Sequence, residues 1–384
     1  VQNKFGSGKS GAHVYEEGEN ENWGPRLDVG EKWVQWNSNG EAVPLVSYPN
    51  RFKDFFQTGM TNTNNVAVSG NYDKGSFRVS AGNVTGRGIS PNTDLERMTL
   101  ALNTTYKMSN KLRAIANFSI NQSGSDNRPI IDGGRTDPVR SLYEEGAQVN
   151  INDLREYWEP GQEGIKQRKY KLKQNNPWFV AYENPTGYNR DRTVGKLQLD
   201  YDITDDLGLM VRYTRDAYEE VREAKKGYDN YDQQKGGYEL DNLYRKETNV
   251  DVMLNYKKRF GDDWSLNAYA GASKMEQNYR EIYTSASQLV VPGLYTISNG
   301  VPGAVSYSSY KSLKQIYGVY GMASVGFKNL VYLDLTARND WSSTLPVANR
   351  SYFYPSASLS LILSDIVSMP SWIEFTKLRV GSAQ

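Results

Sequence analysis

Along most of the chain, apolar and polar residues alternate with a period of two, which predicts strands with one greasy and one wet face. Leu112, Ala114, Ala116, Phe118 and Ile120 interleave with Arg113, Ile115, Asn117, Ser119 and Asn121. The same pattern sets Met98, Leu100, Leu102, Thr104 and Tyr106 against Arg97, Thr99, Ala101, Asn103 and Thr105. It returns in Val250, Val252, Leu254 and Tyr256, in Val331, Leu333, Leu335 and Ala337, and in Ala357, Leu359, Leu361 and Leu363. About twelve such segments can be counted, most of them as long as the roughly 9–11 residues that a tilted membrane strand needs. Some, such as 244–256 and 311–327, are long enough to run past a bilayer.

The connections carry a second rhythm. Tight turns are expected at 71–75, 108–110, 204–206, 260–263 and 328–329, with a modest one at 364–370. Between them come longer connections at 86–94, 122–191, 219–246, 282–310 and 341–351. Short and long links in strict alternation put all long loops at one end of an antiparallel meander. An outer-membrane barrel has that asymmetry, with short periplasmic turns and long external loops. Aromatics gather near strand ends, at Tyr106, Tyr201, Tyr213, Tyr256, Trp264, Phe327, Tyr332, Phe353 and Trp372, as interfacial girdles require. Alternation alone does not separate lipid from protein core, so a large soluble antiparallel β protein stays open at this point.

Composition removes other classes. The 384 residues carry 45 Lys+Arg against 44 Asp+Glu, a net charge of +1 that gives no electrostatic case for nucleic-acid binding. The absence of Cys excludes disulfides, zinc-thiolate sites and cysteine nucleophiles, and the single residue His13 makes a His-based metal site or catalytic triad improbable. No stretch approaches the roughly 18 apolar residues of a membrane helix. The mean hydropathy of −0.68 suits alternating strands joined by long polar loops as well as it suits a soluble protein.

Chemically suggestive motifs are few. Gly6, Gly8 and Gly11 fit GxGxxG, and Gly8-Lys9-Ser10 resembles the end of a phosphate-binding loop, but neither a preceding strand nor a following helix fits the context. His13 lacks a partner and reads as an exposed loop residue. Glu144-Glu145, Glu219-Glu220 and Asp262-Asp263 could form acid-base pairs, although adjacent loop acids are usually solvated. Asp229-Asn230-Tyr231-Asp232 resembles the start of a calcium loop without its Gly and distal Glu. No cofactor or metal is expected beyond a structural calcium ion there.

The loop aromatics carry more information. The 122–191 excursion holds Tyr143, Tyr157, Trp158, Tyr170, Trp178, Phe179, Tyr182 and Tyr188, and 219–246 adds Tyr228, Tyr231, Tyr238 and Tyr244. Such rings can stack on sugars or grip extended chains, and Trp158, Trp178, Tyr182, Tyr188, Tyr228 and Tyr231 are the candidate substrate contacts. Equally, they can form the small core that so long a loop needs.

Trp23-Gly24-Pro25-Arg26-Leu27-Asp28 towards one end of the chain and Tyr354-Pro355-Ser356 towards the other resemble motifs of the SusC/RagA-type TonB-dependent transporters of Bacteroidetes. The resemblance lies also in Phe55-Phe56-Gln57-Thr58-Gly59, residues 65–70 and 76–80, and Asn92-Thr93-Asp94-Leu95-Glu96-Arg97. It continues in residues 317–321, 335–343 and 377–382, whereas 122–310 matches by pattern only. The resemblance implies an all-β fold, a portion of a 22-stranded antiparallel transmembrane barrel in the bacterial outer membrane. It also implies a plug, a SusD-like surface lipoprotein that captures glycans or peptides, and energy from TonB. Trp23, Gly24, Pro25, Arg338, Asp340, Ser342, Ser343 and Pro355 fall on family motifs of structural character. On this reading residues 1–61 are the first external loop and the entry to the barrel, 62–121 are barrel strands and 122–190 a long external loop. Residues 191–384 are strands with external loops near 219–245, 282–310 and 341–352. The chain is expected to be an internal piece without plug or closing strands. Asn117, Asp251, Asp334 and Arg338 should line the lumen. The function implied is import of a bulky glycan or oligopeptide, and not catalysis. The competing readings are a carboxylate-based hydrolase and a soluble β-rich carbohydrate-binding protein.

Overall fold

A computed structural model describes residues 2–11, 14–19, 21–171 and 173–384; His13 lies outside them. A small ribbon, β1 (Lys32–Val34) with β2 (Ala42–Pro44), and the short helix α1 (Arg51–Phe55) precede the main sheet. That sheet begins with β3 (Met60–Tyr72), β4 (Gly75–Arg87), β5 (Asp94–Lys107) and β6 (Leu112–Ser125). Helices α2 (Pro138–Glu144) and α3 (Pro177–Glu183) interrupt it. It resumes with β7 (Thr186–Asp202), β8 (Leu207–Tyr228), β9 (Lys235–Phe260), β10 (Trp264–Ala286), β11 (Val305–Phe327), β12 (Val331–Ser342), β13 (Ser351–Ile362) and β14 (Lys377–Ala383). Strands β3 to β14 form one 12-stranded sheet in sequence order, every neighbour antiparallel. No helix among the described residues is long and apolar enough to cross a membrane.

Pairing aligns the apolar positions across strands, because a slip of one residue would turn a strand's whole apolar set to the other face. Val68, Val79, Leu102 and Phe118 lie in one row, and Leu199, Val211, Val252, Ala272 and Val319 in another. Val325, Leu333, Leu359 and Val380 form a third. Most of these side chains are exposed, Val68 at 62% and Val380 at 65%, so nothing among the described residues covers the face. An apolar surface of this extent is a lipid-facing one. At the tight-turn end it carries Tyr72, Tyr106, Tyr201, Phe260, Trp264 and Phe327, with the Trp264 and Phe327 rings 4.6 Å apart. At the other end it carries Tyr213, Tyr317, Trp341 and Phe353. Ten residues separate Phe327 from Tyr317, which is about 33 Å of strand. A tilt of about 40° reduces this to about 25 Å, the height of a barrel's apolar band.

Links at the tight-turn end are 73–74, 108–111, 203–206, 261–263 and 328–330; those at the opposite end are 88–93, 126–185, 229–234, 287–304 and 343–350. Two expectations are corrected. The final link on the tight-turn side spans 363–376, so the alternation of lengths fails there. The segment near 219–245 is mostly strand: β8 and β9 pair from Leu207–Tyr256 to Tyr228–Lys235, skipping only Gly227 of β8, and the loop is 229–234. Strands β8 to β11 thus stand well beyond the band. Their outer half is held by charge and hydrogen bonding rather than lipid: the buried Glu220 carboxylate accepts from Arg190 (2.6 Å) and Arg222 (2.6 Å). Burial alone would raise the Glu220 pKa, but the bonds from Arg222 and Arg190 outweigh it and hold it below the usual carboxylate range.

Candidate functional site

The face opposite the apolar one is polar. On it Arg212 of β8 donates to Asp251 of β9 at 3.1 Å, and Arg338 of β12 pairs with Asp340 two residues on, at 2.7 Å. Period two places Arg338 and Asp340 on the same side of one strand. Arg338 also donates to the Ser273 hydroxyl (3.1 Å) and lies over the Tyr320 ring, 5.3 Å from its centre. Arg212, Asp251, Tyr320 and Arg338, together with Tyr269 and Tyr354, line a concavity of about 600 Å³, while Ser273 and Asp340 belong to its neighbour. A second, of about 480 Å³, continues it past Lys196, Thr214 and Asn249. Asn117 donates to Asn103 (2.5 Å), and Asp334 accepts from Ser324 (2.5 Å) and Ser358 (3.4 Å). All four residues expected on the lumen side therefore lie on this polar face. Arg212 and Tyr269 fall outside every sequence motif, and Tyr320 lies in the 317–321 stretch without a role of its own. For Arg212 the signal was present, since it sits between outward-facing Val211 and Tyr213.

The Arg338–Asp340 pair owes its room to Gly318, which is paired opposite Asp340 on β11. A Cβ there would collide with both charged groups. Gly318→Ala is expected to force the pair apart at a cost of about 1 kcal/mol, because the pair is only partly shielded. The barrel should then lose its heat-resistant gel mobility a few degrees earlier; an unchanged transition would show that the pair bears no load. Ser342, Ser343 and Pro355 fasten the same region, whereas Trp23, Gly24 and Pro25 lie against residues 6–8. Ser343 donates its N–H to the Gln315 carbonyl (2.9 Å) and accepts the Gln315 N–H on its hydroxyl (2.8 Å). The Ser342 hydroxyl meets that of Thr344 (2.8 Å), and Pro355 pairs opposite Ala337 with its carbonyl accepting from Gln384 (3.2 Å).

Over the long-loop end lies a cap built from the described residues of 2–58 and 126–185. Its core holds Phe55, Leu142, Val149, Ile151, Leu154, Tyr170, Trp178 and Ala181. Helix α3 starts where Asn176 accepts the Trp178 N–H (2.8 Å) with Pro177 in the first turn, which turns Trp178 and Phe179 inward. Trp178 is therefore corrected as a substrate contact: it is 3% exposed, and its indole N–H donates to the Ile151 carbonyl at 2.8 Å. Trp158 is half-buried with its ring edge-on to Phe179, 5.4 Å between centres. Tyr182 is exposed and stacked on Tyr157. Tyr188 lies under Arg128 and lines a polar pocket of about 420 Å³ with Asn189, Glu223 and Lys225. The Tyr228 hydroxyl donates to the Leu289 carbonyl (2.5 Å), pinning the 287–304 loop, and Tyr231 is covered by Arg135.

The cap is joined to the β8–β9 tip by buried amides, which composition does not reveal. Gln167 donates to Asn175 (3.0 Å) and to the Asp229 carbonyl (2.6 Å), while Asn230 donates to Asn184 (3.2 Å). Asp229, with φ 61°, and Asp232 face Lys169 (3.7 Å) and Arg135 (3.1 Å). No group of three metal-ligating side chains occurs among the described residues. The phosphate-loop resemblance dissolves for the same kind of reason. Gly6 donates to Pro25 (2.8 Å) and Gly8 accepts from Trp23 (2.7 Å), so the glycines let two backbones lie against one another. Gly24 sits so close to the Ser7 carbonyl that any side chain would clash. The acid pairs separate as well: Glu144 binds Arg140 (2.9 Å), whereas Glu145 is buried beside Arg51 and Lys171.

No family model and no curated protein sequence matches the chain. Solved structures do match. One, described as the RagAB peptide transporter, superposes with a TM-score of 0.71 at 16% identity, covering 86% of this chain and 37% of that one. The RagAB peptide importer in the open-open state gives 0.70 at 16% identity over 93% and 39%. FpvA of P. aeruginosa bound to heterologous pyoverdines gives 0.50 at 10% identity over 80% and 39%. The chain thus spans under two-fifths of the length of the two RagAB chains. These matched chains are transporters and receptors rather than enzymes, and they share the barrel fold.

Proposed function

The fold is that of the outer-membrane TonB-dependent transporter barrels, and we propose that this chain supplies barrel wall and external cap to such an importer. Its cargo would be a bulky nutrient, a glycan or an oligopeptide, taken across a bacterial outer membrane with a SusD-like surface lipoprotein as partner and TonB as the source of energy. The observation that carries this reading is a single sheet with a girdled apolar face about 25 Å tall backed by a charged wall of Arg212, Asp251, Arg338 and Asp340. A soluble carbohydrate-binding protein has no use for the first face. A hydrolase needs a convergent acid-base pair, and the acids of the wall are each engaged by an arginine. Tyr182 and Tyr188, accessible on the cap and at its polar pocket, are the cargo contacts this reading favours.

The test is uptake. A strain lacking the gene should fail to import either fluorescent oligopeptides or fluorescent oligosaccharides, and restoring the gene should restore that cargo alone. Charge reversal at Arg338 (Arg338→Glu), which sets three acids together on the wall, should cut uptake severalfold with surface expression unchanged. Normal import of every polymer of both classes in the deletion strain would refute the proposal.

A further inference from the structure

Strand β11 is paired with β10 along its whole length, from Val305 opposite Ala286 to Phe327 opposite Trp264. Its other neighbour, β12, reaches only as far as Ser342 opposite Ile316, with Ser343 holding Gln315 just beyond. Among the described residues, nothing pairs with the second edge of β11 from Val305 to Leu313. The direction of that edge can be read from Gln315, whose N–H and C=O both point to the β12 side. In an antiparallel ladder, direction repeats every second residue. The N–H and C=O groups of Val305, Tyr307, Ser309, Lys311 and Leu313 therefore all face outward along an open edge, while those of the even-numbered residues serve β10.

Open edges invite another strand, and proteins ordinarily blunt them with bulges, proline or short length. No bulge or proline interrupts 305–313, and Lys311 is the one charged residue on the edge. The side chains instead suit a contact: Tyr307 is 84% exposed and Leu313 59%, with serines between them, a composition of rigid aromatic anchors and adaptable hydroxyls. The charge along the edge has a basic excess: Lys311 lies opposite Arg280 with Lys314 near by and Arg350 at the end of the adjoining loop, against Glu281 opposite Tyr310.

We propose that this edge receives an extended, carboxylate-bearing polypeptide segment of a second protein by strand addition. Only a peptide backbone presents donors and acceptors at the spacing these five residues offer; a sugar chain does not. The inference needs the sheet alone and is independent of which cargo is imported.

The probe is a blocked, soluble nonapeptide alternating Val and Glu, added to the full-length protein in detergent, with hydrogen exchange read at single residues. Amides of Tyr307, Ser309, Lys311 and Leu313 should exchange rapidly in the free protein and slow when peptide is present, while Ser308 and Tyr310 stay protected throughout. Ser309→Pro removes only an outward N–H, which an edge strand tolerates, and should weaken peptide binding about tenfold. Ser309→Ala keeps the N–H and should bind as the parent does. Two results would overturn the proposal: slow exchange at the odd positions in the free protein, which means its own chain already covers the edge, or rapid exchange there that peptide leaves unchanged.

Discussion

Replacing Trp178 with alanine is expected to open the external cap while leaving the sheet intact, at a cost of about 3–5 kcal/mol. The side chain is 3% exposed, its ring lies 4.7 Å from that of Phe55, and Arg155 sits over it at 5.1 Å. Phe55 comes from the first segment of the cap and Trp178 from the second, so this contact fastens the two together. The indole N–H also satisfies the Ile151 carbonyl, which alanine leaves bare in the interior. Trp178→Phe keeps most of the volume and should cost less than half as much. Limited proteolysis is the measure: the alanine variant should be cut within 126–185 many times faster than the parent, while barrel heat resistance is retained. Equal cleavage rates would show that the cap does not rest on this core.

A second large effect should appear with pH. Glu145 is buried, and removal from water raises its pKa to about 7, against the opposing pull of Lys171 and Arg51 and with Glu144 adding to the rise. A carboxyl whose folded pKa lies above its unfolded value favours folding when protonated. Its contribution is complete below the ordinary value near 4.5 and is lost as pH rises through about 7. The cap should thus be tightest near pH 5 and loosen towards pH 8, by up to about 3 kcal/mol. Glu145→Gln, permanently neutral, should hold the acidic behaviour at every pH. Exchange rates of cap amides, corrected for intrinsic pH dependence, would decide it; a parent and a Gln variant with the same pH profile would remove Glu145 from the account.

The membrane-crossing parts were legible because lipid imposes a strict rule. Where one face must be apolar, residues such as Val250, Val252 and Leu254 advertise the strand, and tight turns at 261–263 and 328–330 mark its ends. The outer halves of β8 and β9 obey no such rule. With no lipid-facing side, Arg222-Glu223-Ala224-Lys225-Lys226 reads as loop, and its partners are visible only once Lys226 meets Glu239 and Arg222 meets Asp241 across the ladder. The cap shows the same limit. Its aromatics pointed to a small core or a binding surface in equal measure, and the choice rests on Trp178 and Tyr170 being inside while Tyr182 and Tyr143 are outside. Gln167, Asn175 and Asn176 gave no sign of burial, because an amide looks the same in a solvated loop as in a network. Asn176-Pro177 did carry a helix-start signal, weak by itself in so polar a stretch.

That amide network has a consequence for the surroundings in which the protein works. The bonds joining Gln167, Asn175, Asn184 and Asn230 involve no net charge, whereas the outlying Arg135–Asp232 contact does. The screening length shrinks from about 8 Å at physiological ionic strength to about 3 Å at 1 M, so concentrated salt weakens an exposed ion pair and leaves neutral, water-excluded hydrogen bonds untouched. A swing in external salinity therefore retunes the Arg135–Asp232 and Lys169–Asp229 contacts more than the amide bonds that join the cap to the β8–β9 tip.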